Sequence, residues 1–377
     1  MGNICHAGPV LRDNAASRDA APTPRRSLTF GRNPSLKRED YVFSNITGPS
    51  CLVKQPGSIN GQQFLIENCH DCDIFILDHC TAVQIDDCVN CRIVIGPCDS
   101  SLFVRNCNKS TIVCAVQQFR TRDCEELDVY LYSATEPIIE LSTKMRFACF
   151  PLSYFSFQHQ FDKAGFSVWN NRWSEIYNFT PDHGTWKALS TYCHQSALED
   201  VIEKHPEGGY SLWKMQSWTA EELGLSIEVS QLVVPLTSGV STRTDDSMSL
   251  VVIFSAPHNQ LMAAFATALS SQFSPEQSDS VLLIRTRQMK LSPDQAKALF
   301  STNVIAIQKA TDAAKSSAGS VIMEFQGNAS YDRLAALVAD SRFAADAAFT
   351  SSIVSSTDSN QARRMSELVF VEWKETI

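Results

Sequence analysis

The sequence has no run of apolar residues approaching the roughly 18 that a membrane-spanning helix needs, so no spanning helix is expected. Histidine is missing beyond His258, and cysteine beyond Cys193. Basic residues are in the minority: 32 Lys and Arg stand against 41 Asp and Glu in 377 residues, a net charge of −9. That balance argues against a general nucleic-acid binder, whose affinity rests on a basic surface that neutralises phosphates. The start of the chain lacks the apolar core of a secretory leader, so its thirteen cysteines are expected to stay reduced. Wholesale disorder is excluded as well, because 44% of the residues are hydrophobic.

Charge is unevenly spread. Residues 1–38 carry seven Lys and Arg against Asp13 and Asp19, a balance of +5 that leaves −14 on the remainder. The segment 1–39, with Pro22-Thr23-Pro24-Arg25-Arg26, is too polar to fold and reads as a disordered basic arm. It opens Met1-Gly2-Asn3-Ile4-Cys5, so loss of Met1 would expose Gly2 for myristoylation, with Cys5 close by for palmitoylation. His6 stands where that acceptor pattern prefers Ser or Thr, and the plain alternative is a frayed terminus with a chance glycine. One myristoyl chain holds a membrane only marginally; a second chain and basic residues over anionic lipid would make residence stable. The arm is therefore expected to be a membrane tether.

From Gly61 the sequence repeats. Ile66-Glu67-Asn68-Cys69, Ile85-Asp86-Asp87-Cys88, Val104-Arg105-Asn106-Cys107 and Thr121-Arg122-Asp123-Cys124 align, their cysteines 19, 19 and 17 residues apart. Short β-branched runs such as Ile74-Phe75-Ile76-Leu77 and Ile93-Val94-Ile95 lie between them. Such a period predicts stacked coils of a parallel β-helix, about 4.8 Å apart. The rival reading is zinc, since Cys69-x2-Cys72 followed by Cys88-x2-Cys91 has four-cysteine metal spacing. The same register later reads Cys107…Ser110 and Cys124…Leu127, so the second position is lost while the first persists. A buried stack of compact side chains explains that better than a metal.

Alternation assigns the faces. With each repeat cysteine inward, Phe64, Val83, Leu102, Phe119, Ile66, Ile85, Val104 and Thr121 share the interior. Leu65, Gln84, Phe103 and Arg120, with Glu67, Asp86, Arg105 and Arg122, face out. Arg120 and Arg122 thus share one outer face, with Arg105 a coil away. Such a cluster reads equally as a solvated face with weak ion pairs or as a binding surface.

The segment Gln117-Gln118-Phe119-Arg120-Thr121-Arg122-Asp123-Cys124 resembles the signature of the tubulin-binding-cofactor-C domain family. The resemblance extends through Asp40-Tyr41-Val42-Phe43-Ser44, Gly61-Gln62-Gln63-Phe64-Leu65-Ile66, Pro137-Ile138-Ile139-Glu140 and Phe166-Ser167-Val168-Trp169-Asn170-Asn171-Arg172-Trp173. It implies a right-handed parallel β-helix that activates GTP hydrolysis by a GTP-bound Arf-like small GTPase. By that resemblance Arg120 is an arginine finger, Gln117 stands beside it, and Glu140 orients it. Arg122, Arg105 and Phe119 are then expected to bind the partner. GTP and magnesium would belong to the partner, leaving this chain without a cofactor of its own. The resemblance also points to the cytoplasmic face of the plasma membrane, the ciliary or flagellar base, and traffic of lipidated cargo. The alternative it leaves open is a non-catalytic scaffold for tubulin or cargo machinery.

The β-helix with a trailing helical segment, short helices at 196–204 and 219–223 among it, is expected over 40–235, and a polar linker over 236–247. Across 248–377, strands are expected near 249–255, 281–286, 320–326 and 367–373. Helices are expected near 258–271, 292–300, 303–315 and 330–345, giving an α/β ferredoxin-like order. With Ala318-Gly319-Ser320-Val321-Ile322-Met323-Glu324-Phe325 this half resembles nucleoside diphosphate kinase. Those kinases carry phosphate on a histidine near the end of their fold, and no histidine follows His258, so kinase turnover is not expected. Trp169 and Trp173 read as core, and the scattered histidines have no ligand spacing.

Overall fold

The computed structural model of the chain describes residues 36–182, 184–188, 202–204, 210–212, 224–226, 232–239, 248–254, 265, 268, 282–316, 319–327 and 335–373. Gly2 and Cys5 lie outside the described residues, as do the expected helix at 219–223 and most of that at 258–271.

The repeat builds a parallel β-helix. Its strands are β1 (Val42–Lys54), β2 (Phe64–Ile76), β3 (Val83–Asp86), β4 (Arg92–Arg105), β5 (Thr111–Arg122), β6 (Asp128–Ser133), β7 (Ile138–Glu140), β8 (Met145–Cys149), β9 (Tyr177–Asn178) and β10 (Trp186–Ala188). They stack as two faces. One runs through β1, β2, β3, β4, β5, β7 and β9, with Val42, Leu65, Gln84, Phe103, Arg120, Ile138 and Tyr177 in register. The other runs through β1, β2, β4, β5, β6, β8 and β10, aligning Cys51, Asp73, Arg92, Thr111, Asp128, Arg146 and Lys187.

The expected interior is the observed one: Phe64, Ile66, Val83, Ile85, Leu102, Val104 and Phe119 are at most 1% exposed, and Thr121 is 3% exposed. Cys69, Cys88, Cys107 and Cys124 are buried in the same core. The chain turns between the faces just before each of these cysteines. Asn68, Asp87, Asn106 and Asp123 hold φ of +52°, +55°, +53° and +54° there. Asn and Asp enter this left-handed region at lower cost than other residues with a Cβ, which explains why the repeat reads Asn/Asp-Cys. Neighbouring corners also bond, as Asn106 Nδ2 donates to Asp87 Oδ1 at 3.1 Å and Asn68 Nδ2 to Asn45 Oδ1 at 2.8 Å.

The faces differ on their outer side. The second face places Val53, Phe75, Val94, Val113, Tyr130 and Ala148 outward. This apolar strip is covered by α1 (Phe157–Lys163), whose Phe157 and Phe161 join the same cluster. The first face mixes polar and apolar side chains outward, and no helix covers it among the described residues.

Strands β11 (Ile202–Lys204) and β12 (Tyr210–Leu212) form an antiparallel pair, so 202–204 is strand where the sequence suggested the end of a helix. The C-terminal sheet comprises β13 (Met248–Phe254), β14 (Leu282–Met289), β15 (Ser320–Gln326) and β16 (Ile353–Ser355), in the order β14-β15-β13-β16 with every neighbour antiparallel. That is the ferredoxin-like split arrangement. Helices Pro293–Phe300 and Val304–Ala313 fill the expected positions, the first closed by a Ser292–Gln295 capping box. The fourth strand is not at 367–373. A helix over Ser359–Glu367 continues as a π-helical turn over Leu368–Glu372, burying Ala362, Met365, Ser366, Val369 and Phe370. Those positions recur at helical spacing, which overrides the β-propensity of Leu-Val-Phe-Val. No helix of the described residues is long and apolar enough to cross a membrane.

Replacing Asn106 by valine is expected to cost about 1–2 kcal/mol, the penalty of a β-branched residue in left-handed backbone. Asn106→Gly should stay within a few tenths of wild type; equal denaturation midpoints for both variants would contradict this account of the corner.

Candidate functional site

On the uncovered face, coil register brings charged residues into columns. Glu67, Asp86, Arg105, Arg122 and Glu140 form one. Arg105 is held bidentately by Asp86, at 2.7 and 2.6 Å. Arg122 lies 3.3 Å from Asp123 and 3.9 Å from Glu140. Glu140 lies one coil beyond Arg122, at a distance longer than a hydrogen bond, and no contact between Glu140 and Arg120 occurs among the described residues.

Arg120 stands in the adjacent column, between Phe103 and Ile138. Its guanidinium carbon lies 5.7 Å from the centre of the Phe103 ring, within cation–π range. Among the described residues it has no carboxylate partner, and its buried Nε has no hydrogen-bond acceptor. An arginine paired as Arg105 is would have to break that pair to serve a partner; Arg120 has none to break. Gln117 is half-buried three residues earlier on β5, its carbonyl accepting the Thr135 amide at 3.1 Å. Phe119 is fully buried and packs edge-on to Phe147 at 6.0 Å, so it is core rather than a partner-binding residue. Leu65 lies in the outer column yet is only 8% exposed.

Alternation over the four repeats ended too early to find the apolar rim. Tyr177 follows Ile138 in Arg120's column and is 53% exposed; Phe179, two residues on, is 61% exposed and Leu141 39%. Tyr177 and Phe179 contact edge-on at 6.4 Å. The available signal was the pattern Tyr177-Asn178-Phe179, two aromatics at strand spacing.

The strand beside Arg120 is braced by the C-terminal half. Glu136, just before β7, pairs with Arg172 at 2.7 Å, and Arg172 with Glu175 at 2.7 Å. Glu175 in turn faces Arg287 of β14 at 3.4 Å. Burial pushes the Arg287 guanidinium down to about 10, opposed by the charge of Glu175. The Phe166–Trp173 segment carries further contacts, and the Ser238 and Gly239 amides donate to the Leu283 and Ile284 carbonyls at 2.8 and 2.9 Å. Asn170 Oδ1 accepts the Gln288 amide at 2.7 Å, and the Trp169 carbonyl accepts the Thr286 hydroxyl at 2.8 Å. Trp169 packs in the C-terminal core and Trp173 in the β-helix core, both buried as the sequence suggested. Trp173 Nε1 donates to Thr237 at 2.8 Å, so part of the expected polar linker is packed at this junction. Gly239 fits there only without a side chain, since a Cβ would lie 2.7 Å from the Trp173 ring.

The zinc-spaced cysteines sit one behind another in the stack. Cys72 donates to the His70 carbonyl at 3.2 Å and Cys91 to the Cys69 carbonyl at 3.3 Å. No group of three His, Cys, Asp or Glu that could hold a metal occurs among the described residues. Elsewhere in the core, burial pushes three thiols up: Cys98 to about 12, and Cys80 and Cys114 well above their ordinary value. His79 is buried with Nε2 3.1 Å from Asp99, a structural contact away from Arg120's column.

The tubulin binding cofactor C family matches residues 61–179, which span Arg120, Glu140 and the aromatic rim. Protein XRP2 of Danio rerio is 35% identical over 310 residues, covering 78% of this chain and 77% of the relative. Protein XRP2 of Homo sapiens is 33% identical over 280 residues, 73% of each chain. Tubulin-specific chaperone C of Bos taurus is 26% identical over 170 residues, 44% of this chain and 49% of that protein.

Two outcomes follow from the geometry. Glu175→Ala leaves Arg287 buried and unpaired and should destabilise the junction by about 3–5 kcal/mol. The Glu175→Leu/Arg287→Leu double variant should lose less, and a larger loss in a denaturation series would contradict the pairing. Because a thiolate is the reactive species, a thiol reagent at pH 8 should leave Cys80, Cys98 and Cys114 unlabelled until the protein unfolds. Rapid labelling of the native protein, read by peptide mass, would contradict their burial.

Proposed function

Because the chain belongs to the Protein XRP2 family, we propose that it is a GTPase-activating protein acting in trans on a GTP-bound Arf-like small GTPase. Arg120 is the residue that enters the partner's nucleotide site. The observation that carries this reading is its state in the free protein. The side chain is half-buried on a stiff parallel sheet, rests on Phe103, and has neither a carboxylate nor an acceptor for Nε among the described residues.

The chemistry requires such a group. Phosphoryl transfer spreads negative charge over the γ-phosphate oxygens, and a positioned guanidinium stabilises that charge more in the transition state than in the ground state. A parallel sheet limits the freedom lost on docking, and phosphate oxygens supply the acceptors that Arg120 lacks. Gln117 would border the same nucleotide. Arg122 with Glu140 and Arg105 with Asp86 form a charged flank, and Tyr177, Phe179 and Leu141 offer the apolar contact area an interface centre needs. GTP and magnesium are the partner's, so the chain needs no cofactor of its own. Acylation at Gly2 and Cys5 would tether this activity to the cytoplasmic face of the plasma membrane, at the ciliary or flagellar base, in traffic of lipidated cargo. Nucleoside diphosphate kinase turnover is not part of the reading, because no histidine follows His258 to carry phosphate.

A second reading is a non-catalytic scaffold for tubulin or cargo machinery, favoured by the similarity to tubulin-specific chaperone C. Single-turnover GTP hydrolysis by an Arf-like GTPase separates the two. Arg120→Ala should lower the stimulated rate by about 10³-fold or more, as loss of an arginine finger does. Arg122→Ala should lower it less than about tenfold. Equal stimulation by wild type and Arg120→Ala would support the scaffold.

A further inference from the structure

At the far end of the covered face, a groove of about 650 Å³ opens beside β10. Lys109, Lys144, Arg146 and Lys187 line it against two carboxylates, Glu126 and Asp128. This excess is unusual in a chain of net charge −9. Both carboxylates are engaged: Lys144 Nζ lies 2.8 Å from Glu126 and 2.8 Å from Glu125, and Arg146 holds Asp128 bidentately. Lys109 and Lys187 have no carboxylate within ion-pair distance among the described residues.

The backbone shows that these side chains are not there for conformational reasons. In the β-helix, twelve residues other than glycine have positive φ, and eight of them are Asn or Asp. The four exceptions are Lys109, Glu126, Leu141 and Lys144, and three of these line this groove. At the equivalent corner one and two coils earlier stand Asn90 and Asp71, which tolerate this backbone more cheaply. Lys109, Glu126 and Lys144, at φ +48°, +56° and +53°, therefore cost backbone energy at three successive corners, where they bring two cations and one carboxylate to the groove.

The wall is built for a chain rather than for a point charge. Asn108, Glu125 and Thr143 stack in successive coils, which puts the Lys109 and Lys144 corners two coil spacings apart, about 10 Å. Arg146 and Lys187 pair across one further spacing. A single phosphate is too small to meet all of them, whereas carboxylates two or three residues apart on an extended peptide recur every ~7–10 Å. Trp186, 38% exposed and fixed edge-on against Phe147 at 6.3 Å, adds a rigid amphipathic flank, and the Thr111 and Thr185 hydroxyls border the floor.

We propose that this groove is a docking site for an extended, glutamate- or aspartate-rich segment of a partner protein, separate from the Arg120 face. Lys187, and Lys109 beyond its longer-range attraction to Glu126, provide the charge that meets the segment, and Trp186 packs along it. Surface cations of this kind act through screened attraction, so binding must weaken as salt rises.

The test uses the full chain and a fluorescein-labelled decaglutamate peptide, read by anisotropy. Inorganic phosphate and phosphoinositide-containing vesicles are run beside it. Expected are saturable peptide binding that weakens between 50 and 300 mM salt, and a loss of about tenfold or more in Lys109→Glu/Lys187→Glu. Lys297→Glu/Lys315→Glu, the same charge change at exposed positions of the C-terminal domain, should bind as wild type. Equal weakening in both double variants would overturn the site, as would undiminished binding in the first. So would preferential binding of phosphate or vesicles at these lysines.

Discussion

The whole β-helix depends on one constraint, the in-register stacking of coils about 19 residues long. Each coil must return to the same height with the same residues inward, and a left-handed Asn or Asp before each of Cys69, Cys88, Cys107 and Cys124 makes the turn. A slip of one residue would send Phe64, Leu102 and Phe119 to solvent and bring Arg120 and Arg122 into the core. Burial of the inner column therefore determines which side chains face out. It also sets ion pairs across coils such as Arg105–Asp86 and Arg92–Asp73, whose partners lie 19 residues apart.

Stacking creates two sheets, and their outer sides decide their fates. The strip from Val53 to Ala148 is apolar and must be covered, which α1 does. The strip from Gln84 to Tyr177 mixes polar and aromatic groups, and no helix covers it among the described residues. The C-terminal domain adds rigidity at one end of the open face without occupying it. Its Arg287 reaches through Glu175 and Arg172 to Glu136, at the start of the strand next to Arg120. In the proposed role, a guanidinium meeting a phosphate would gain from such a mount, because little is lost in ordering it.

Much of this was legible in the sequence. Strict alternation around the repeat cysteines put Phe64, Val83 and Thr121 inside and Arg120 outside, because a two-residue period leaves little freedom once one residue is anchored. The cysteine spacing that imitates a metal site followed from coil length alone. What alternation could not show was the pairing between coils. Arg105 belongs to Asp86 and Glu140 to Arg122, which depends on register across 18 or 19 residues. The resemblance assigned Phe119 to a partner surface, yet its own position in the alternation already made it core. In the C-terminal half, the run Leu368-Val369-Phe370-Val371 has strand composition, but its buried positions continue a helical face that starts at Ala362. The short β16 carries too few residues to show a period. The open groove at Lys109 was visible only once corners from different coils were stacked.

The central proposal is that Arg120, without a carboxylate partner among the described residues, serves a charge that exists only in another protein's transition state. The most direct test is the affinity of the chain for an Arf-like GTPase carrying GDP with aluminium fluoride, which mimics the transferring phosphoryl group, compared with the GDP form. The account predicts that the mimic tightens binding by about 10²-fold or more, and that Arg120→Ala removes this gain while leaving affinity for the GDP form unchanged. Equal affinity for the two nucleotide states in wild-type protein would contradict it.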